Sequence, residues 1–366
     1  MTIPRDLRVG YVPFEPTFAH PGDRRRFCFY AKQRGLDFEI ADPRRDYDVV
    51  VVSPGGDISV WQRYRGSAKI IYQQIDSYLA AGNSDWKAVF RGAAKFAVRQ
   101  NRHLLLDYVK GIQRMCSRAD AVICTTAEQQ DDIRPYCSNV HVILDFHSTV
   151  TARVKQDYAA GDVFNFVWEG LPGNLAYFSQ IRGVLDEIKR RRRIALHLVT
   201  DLEYGEYLHG KVGKRHATDL ARRTFGSLDG VYLYAWNEQT AAAVMTACDL
   251  ALIPMDLEHP LIRGKPENKL LLFWRMAMPA IVSATPAYAR AMCDSGLHMA
   301  CSTPQEWTAM LDRFMSDEEA RRTAGWRGKQ FAEQYYNVEK MLSQWDEVFA
   351  SVLGQPHEPL ATGARR

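Results

Sequence analysis

Three cations, Arg263, Lys265 and Lys269, crowd seven residues around Glu267, where the pattern predicts the start of a helix. The unpaired N–H groups and positive dipole end of a helix N-terminus favour an anion, and lysine and arginine add charged hydrogen bonds. Without a ligand, the same residues are solvated surface, or Lys269 pairs with Glu267 or Asp256. In the first half, His20 sits in a long loop, residues 13–26, after the first predicted strand. Its imidazole suits a general base at neutral pH, and an idle loop histidine is the bland alternative. Asp76 follows the apolar run Lys69–Ile75, at the carboxyl end of a strand, either as a base or ligand contact or as a helix cap. Arg24, Arg25 and Arg26 are expected to begin a helix, meeting an anion or presenting a solvated face. Asp145 and His147 end the last strand of this half, as a turn or as site residues. Lys87, Arg91, Lys95 and Arg99 recur every four residues, with Arg102 next. At about 100° per residue they span roughly 120° of a helix. Such a face suits anionic lipid head groups, or it is simply solvated.

These groups need a scaffold, and the apolar runs supply one. Strands are expected at Leu7–Val12, Phe38–Ile40, Asp48–Ser53, Lys69–Ile75, Asp120–Cys124 and Val140–Leu144. A helix is expected over Asp23–Arg34, and one long helix or two joined ones over Trp86–Ser117. After a polar linker at 145–162 the alternation restarts. Strands follow at Val163–Trp168, Ile194–Thr200, Gly230–Tyr234, Leu250–Ile253 and Ala280–Ser283, with helices between them. Strands alternating with helices predict an α/β protein of two doubly wound parallel sheets. Val49-Val-Val-Val52 is continuously apolar, as a strand covered on both faces must be. Ligands of such sheets bind at the carboxyl ends of the strands, which puts the expected site in a crevice between two domains.

The chain has 366 residues, enough for about two domains. Its net charge is +4, and residues 1–165, with 23 Lys/Arg against 19 Asp/Glu, carry all of the excess. That is too little for a general nucleic-acid binder, so any basic function is local. Seven cysteines are scattered without a CxxC pair, which points to a reducing compartment. No signal peptide or membrane span is expected. Asp131-Asp132 fall in a predicted helix and Asp201 with Glu203 is isolated, so no metal is expected.

Residues 231–286 resemble the donor-binding domain of GT-B glycosyltransferases, enzymes of two Rossmann-like domains that take a sugar from a nucleotide-sugar. The resemblance rests on Trp236-Asn237 ending a strand, Cys248-Asp249 to Pro254, Asn268-Lys269, and Met278-Pro279 to Ser283. Arg118 to Glu128 and Val140 to Asp145 resemble strands of the family's first domain, and Trp326 to Trp345 its closing helices. The resemblance implies roles for Trp236 and Asn237 at the nucleobase. It places Arg263, Lys265, Asn268 and Lys269 at the donor diphosphate, and Glu267 or Asp256 at the donor sugar. Many retaining members carry two glutamates eight apart. The place of the second is Leu272 here, and Ala277 stands at the family's small residue before the proline.

The expected organisation is an acceptor-binding domain at 1–155, a nucleotide-sugar-binding domain at 160–335, a closing helix at 336–353 that returns to the first domain, and a disordered tail at 354–366. The expected activity is metal-independent transfer of a sugar to a hydroxyl of a surface glycan or lipid-linked saccharide, with His20 or Asp76 as base. The nucleotide-sugar is a substrate and no cofactor is implied. The expected location is cytoplasmic, with contact at the inner face of the membrane. The competing readings are a nucleotide-sugar 2-epimerase of the same fold and a non-catalytic partner subunit. A nicotinamide enzyme fits worse, because no GxGxxG follows a strand.

Overall fold

A computed structural model describes residues 7–80, 96–97, 101–147, 150–207 and 212–354, without the side chains of 206–207 and 212–214. Lys87, Arg91, Lys95 and Arg99 lie outside the described residues, as does the tail from 355. The chain forms two compact units, Met1–Phe146 with Val338–Arg366, and His147–Asn337. The passage at 146–147 comes before the expected boundary at 155. Lys155 is anchored in the second unit, where its Nζ donates to the Cys248 carbonyl at 2.7 Å.

The first unit begins β1 (Val9–Val12), α1 (Pro21–Arg24), α2 (Phe27–Arg34), β2 (Glu39–Ile40), β3 (Val49–Val52), α3 (Ile58–Trp61) and β4 (Lys69–Gln73). It continues α4 (Tyr108–Arg118), β5 (Ala121–Cys124), α5 (Ala127–Ile133) and β6 (Val140–Val142). The six strands are parallel in the order β2-β1-β3-β4-β5-β6. All four valines of β3 are fully buried, one pair on each face, which accounts for the unbroken apolar run. The terminal helix Val338–Leu353 covers one face. Trp345 and Phe349 stack on Tyr30 with ring centroids 5.2 and 5.5 Å apart. The Arg34 guanidinium donates to Asp346 at 2.7 Å.

One expected helix is corrected. Asp23–Arg34 is broken at Arg25 and Arg26, where the backbone leaves helical geometry. Over the stretch expected as one long helix or two joined ones, the described residues are helical at 96–97 and again from Tyr108, with a break at 101–107 between them. Asp107 caps the helix from Tyr108 by accepting from the Lys110 N–H at 2.9 Å. The N–H groups of Arg102 and His103 are taken by Asp57 and Ser59 instead, so Arg102 is not on that helix.

The second unit runs β7 (Phe164–Glu169), a 3-10 helix (Pro172–Ile181), α6 (Arg182–Arg191), β8 (Ile194–Thr200), β9 (Glu203–Tyr207), β10 (Val212–His216), α7 (Ala217–Phe225) and β11 (Val231–Ala235). Then come α8 (Ala241–Ala247), β12 (Leu250–Ile253), α9 (Asn268–Arg275), β13 (Ala280–Ser283), α10 (Pro286–Ser295), β14 (Ala300–Cys301), α11 (Pro304–Ser316) and α12 (Glu318–Tyr335). Its six-stranded sheet is parallel, in the order β11-β8-β7-β12-β13-β14. Strand order reverses at the β7–β12 boundary, which is where such sheets open a crevice. The antiparallel pair β9–β10 was not expected, because its sequence is polar on both sides. No helix among the described residues is long and apolar enough to cross a membrane.

The segment after α9 is tightly constrained. Ala277 is buried with φ of 54°, a left-handed conformation that favours glycine. Gly325 of α12 packs on it, and a Cβ there would lie 2.1 Å from the Ala277 carbonyl oxygen. Backbone cannot step aside as a side-chain tip can. Gly325→Ala should therefore cost about 2 kcal/mol as an overpacked core does. A melting curve within a degree of wild type would refute that reading.

Candidate functional site

In a parallel sheet every helix that follows a strand starts at the carboxyl edge. The N-terminus of α9 thus lies at the same edge as the ends of β7 and β12. Lys269 is in its first turn. The side chain is partly buried, and its ammonium lies 5.0 Å from the centroid of the Trp168 ring, a cation–π contact. Among the described residues it makes no hydrogen bond or ion pair. Loss of solvent pushes its pKa below the usual lysine range, against the pull of Glu169, and Lys265 lowers it further. Gly170, just past the end of β7, lies close beside it. A Cβ at 170 would lie 2.1 Å from the Lys269 Nζ and 2.9 Å from the Trp168 ring. Glycine at 170 is what lets the ammonium come down onto the β7 loop. The loop itself is fixed, since the Gly170 N–H donates to Val199 and its carbonyl accepts from the Thr200 hydroxyl at 2.7 Å. A partly desolvated cation over a bare backbone, in the crevice at the reversal of strand order, is a binding feature for an anion.

Other expected residues of this half occupy the same edge. Arg263 is exposed and caps a 3-10 turn, Pro260–Ile262, while Lys265 and Asn268 are partly buried. Asp256 closes a turn after β12, its carboxylate accepting from the Glu258 N–H at 3.3 Å. Glu267 is the N-cap residue of α9, and the Tyr336 hydroxyl donates to its carboxylate at 3.1 Å. The Arg275 guanidinium donates to the Tyr336 carbonyl at 3.0 Å, so Tyr336 spans both ends of α9. Three carboxylates, Glu169, Asp256 and Glu267, balance three cations here. Charge count alone therefore does not single out an anion site; the partly desolvated Lys269 ammonium is the group that can hold an anion. Trp236 and Asn237 end the edge strand β11. The Trp236 N–H donates to Thr200, and the Asn237 side-chain oxygen accepts from the Gln239 N–H. Two strand spacings separate β11 from β7, or about 10 Å, and strand β8 lies between them. Leu272 is buried in the core and Gly264 stands eight residues before it, so neither place offers a carboxylate.

In the first unit, Asp23 is fully buried and organises the loop after β1. It accepts from the Tyr11 hydroxyl at 2.5 Å, and from the N–H groups of Phe14 and Glu15 at 2.8 and 3.1 Å. His20 caps α1, its Nδ1 accepting from the Gly22 N–H at 3.0 Å, and it stacks on Phe14 at 3.7 Å. With Nδ1 used as an acceptor, the neutral ring carries its proton on Nε2, where it is a donor and not a base. Phe14 in turn fills the space left by Gly55, where a Cβ would meet its ring at 2.4 Å.

Arg26 is not an anion ligand, and the expectation is corrected. It is 1% exposed. Its Nη1 pairs with Asp145 at 2.7 Å and its Nε donates to Gln73 at 2.9 Å. The break after α1 turns this guanidinium inward, across the carboxyl ends of β4 and β6. Arg24 and Arg25 stay partly buried, and Asp145 is a structural partner. Asp76 lies three residues past β4, partly buried, and its carboxylate accepts from the Tyr78 hydroxyl at 3.2 Å. Sequence reasoning missed Asp23, Glu169, Gly170 and Tyr336. Only Gly170 left a signal, as the glycine directly after an apolar strand.

No family model matches the chain, and no curated protein matches it. Solved structures do. A TarM variant from S. aureus, in complex with fondaparinux, alpha-GlcNAc-glycerol and UDP, aligns with a TM-score of 0.53 at 10% identity over 82% of this chain. This chain spans only 55% of that TarM chain. Sucrose-phosphate synthase from Thermosynechococcus elongatus aligns with a TM-score of 0.57 at 12% identity, covering 90% of this chain and 76% of its own. A glycosyltransferase from Rickettsia africae aligns with a TM-score of 0.53 at 8% identity, covering 89% and 87%. At such identities the likeness is one of fold alone: each unit has the parallel α/β form, and the chain has the GT-B fold.

Proposed function

We propose that this protein is a glycosyltransferase that takes a sugar from a nucleotide-diphosphate sugar bound by the second unit and passes it to a saccharide hydroxyl bound by the first. The observation that carries this reading is the Lys269 ammonium, lowered onto Gly170 at the reversal of strand order. A nucleoside diphosphate is the anion that fits. Its phosphates meet Lys269 and the N–H groups opening α9, with Arg263, Lys265 and Asn268 around them. The sugar-proximal carboxylate is Glu267, steadied by Tyr336, and Asp256 is the lesser choice. The base lies toward Trp236 and Asn237, about two strands away, a span that a ribose fills. In transfer, the acceptor oxygen bonds to the anomeric carbon, the bond from that carbon to the diphosphate oxygen breaks, and the acceptor proton leaves to a base. The cations stabilise the charge that grows on the departing diphosphate, in the role a metal has elsewhere. Asp76 is the better base, because the capping bond holds His20 in its donor tautomer. A surface glycan or lipid-linked saccharide as acceptor, with work at the inner membrane face, belongs to this proposal.

The test is binding before turnover. UDP at a hundredfold excess over its Kd should stabilise the protein by about 2.7 kcal/mol. The affinity should also fall in alkaline solution earlier than an ordinary lysine would dictate. The sign follows from the lowered pKa: Lys269 loses its proton below the usual range, and a neutral amine no longer holds the diphosphate. The free protein moves the other way. Between the folded and unfolded pKa the unfolded chain holds the extra proton, so this group raises folding stability as pH rises. No thermal shift with any nucleoside diphosphate would overturn the donor assignment. Binding without transfer to any acceptor, or acceptor-independent change of the sugar, would point to the partner-subunit or epimerase reading.

A further inference from the structure

We infer that the first unit carries a second anion site, on the edge of its sheet opposite the one described above, and that it takes a phosphate-bearing ligand. Helices α3, α4 and α5 each precede a parallel strand, so their C-terminal ends lie at the amino edge of the sheet. There a groove of about 470 Å³ is lined by Gln62, Arg63, Gln113, Arg114, Arg118 and Tyr136. That volume is in the range of small-ligand sites. Three guanidiniums and no carboxylate line it. Arg63 and Arg114 are exposed, and neither side chain makes a hydrogen bond or ion pair among the described residues. Arg118 is held in place, with its Nε donating to the Tyr64 carbonyl at 2.8 Å and the guanidinium over the Tyr64 ring. Its Nη1 stands 3.6 Å from Asp120, a carboxylate already engaged by Lys69 at 3.0 Å. The Gln62 amide is shut off from bulk solvent and has no hydrogen-bond partner among the described residues.

The opposing terms are smaller. Basic residues near a helix C-terminus are favoured on their own account, because the dipole there is equivalent to about half a negative charge. Three such ends together amount to about one and a half negative charges, short of three guanidiniums. Arginine forks also bind phosphate oxygens in pairs, and Gln113 and the Tyr136 hydroxyl add neutral hydrogen bonds around them. The ligand chemistry is therefore a phosphate ester or diphosphate of small size, free or at the head of a lipid.

Calorimetric titration with inorganic pyrophosphate at low salt tests this on three full-length proteins: wild type, Lys269→Ala, and Arg63→Gln with Arg114→Gln. Both arginines are exposed, so the double variant should melt as wild type does. We expect two equivalents bound by wild type, one by Lys269→Ala and one by the arginine variant, the groove affinity falling at least tenfold in the latter. If only the donor reading fails, wild type and Lys269→Ala bind one equivalent each and the arginine variant none. If the arginine variant titrates as wild type does and Lys269→Ala binds none, the groove assignment is overturned. Vesicles containing phosphatidylglycerol identify the source. Co-sedimentation that the arginine variant loses supports a lipid head group. No co-sedimentation, with pyrophosphate still bound, supports a soluble phosphate ester.

Discussion

Replacing Lys269 with alanine should lower turnover about a hundred- to a thousandfold while leaving the melting temperature within a few degrees of wild type. The magnitude is that of removing one preorganised charge partner from a transition state that is building negative charge. The modest effect on stability follows from the side chain's surroundings. Its ammonium is partly desolvated, has no ion partner among the described residues, and carries a lowered pKa. Its contact with the Trp168 ring, at 5.0 Å, gives back only part of that cost. The fold therefore does not depend on this charge, which is the mark of a residue kept for a ligand. Gly170→Ala provides the companion test. The new methyl would displace the ammonium, a flexible tip, and press on Trp168. It should raise the UDP Kd and lower kcat with Lys269 still present. If both variants turn over normally, the diphosphate is held elsewhere and the proposed donor site is wrong. If Lys269→Ala instead unfolds the protein, the lysine is structural.

Particular residues show which parts of this could be read before folding. The strands were legible because burial on both faces leaves no polar position, as in Val49–Val52 and Leu250–Ile253, where every residue is buried. The α9 motif was legible because three cations at a predicted helix start have one strong physical use. The missing carboxylate at Leu272 was legible as a departure, and its burial explains why no polar group stands there. Arg26 was not legible. Three consecutive arginines read as one solvated face, and only the backbone break at Arg25 and Arg26 separates the buried one from its neighbours. The β9–β10 pair escaped for a related reason, since a two-sided polar ribbon lacks the apolar alternation that marks a strand. His20 was legible as a histidine in the right loop. Its tautomer depends on the Gly22 N–H, which no spacing rule supplies. Local patterns thus carried the sheets and the placing of the α9 cations at a carboxyl edge, while long-range polar pairing decided which candidates remain available to a ligand.

The Arg26 pairing leads to the second large effect. Arg26→Met should destabilise the first unit by about 3–5 kcal/mol, because it removes the buried cation that pairs with the Asp145 carboxylate. The Asp145 side chain is 17% exposed against 1% for Arg26, so water relieves only part of the loss. Gln73 would lose its partner as well, and its Nε2 has none to begin with. Against a typical total of 5–15 kcal/mol, a loss of this size removes a large fraction of the stability. The double variant Arg26→Met with Asp145→Leu separates the causes. Replacing both charges by apolar groups of similar size is often nearly neutral, so the double variant should recover more than half of the loss. Denaturant melts of the three variants, read with a probe in the first unit, give the comparison. A double variant as unstable as Arg26→Met would mean that the bonds to Gln73 and Ile143, not the ion pair, hold the ends of β4 and β6 together. Recovery with normal UDP binding would show that the pair positions the carboxyl edge of the first unit and takes no part in holding the donor.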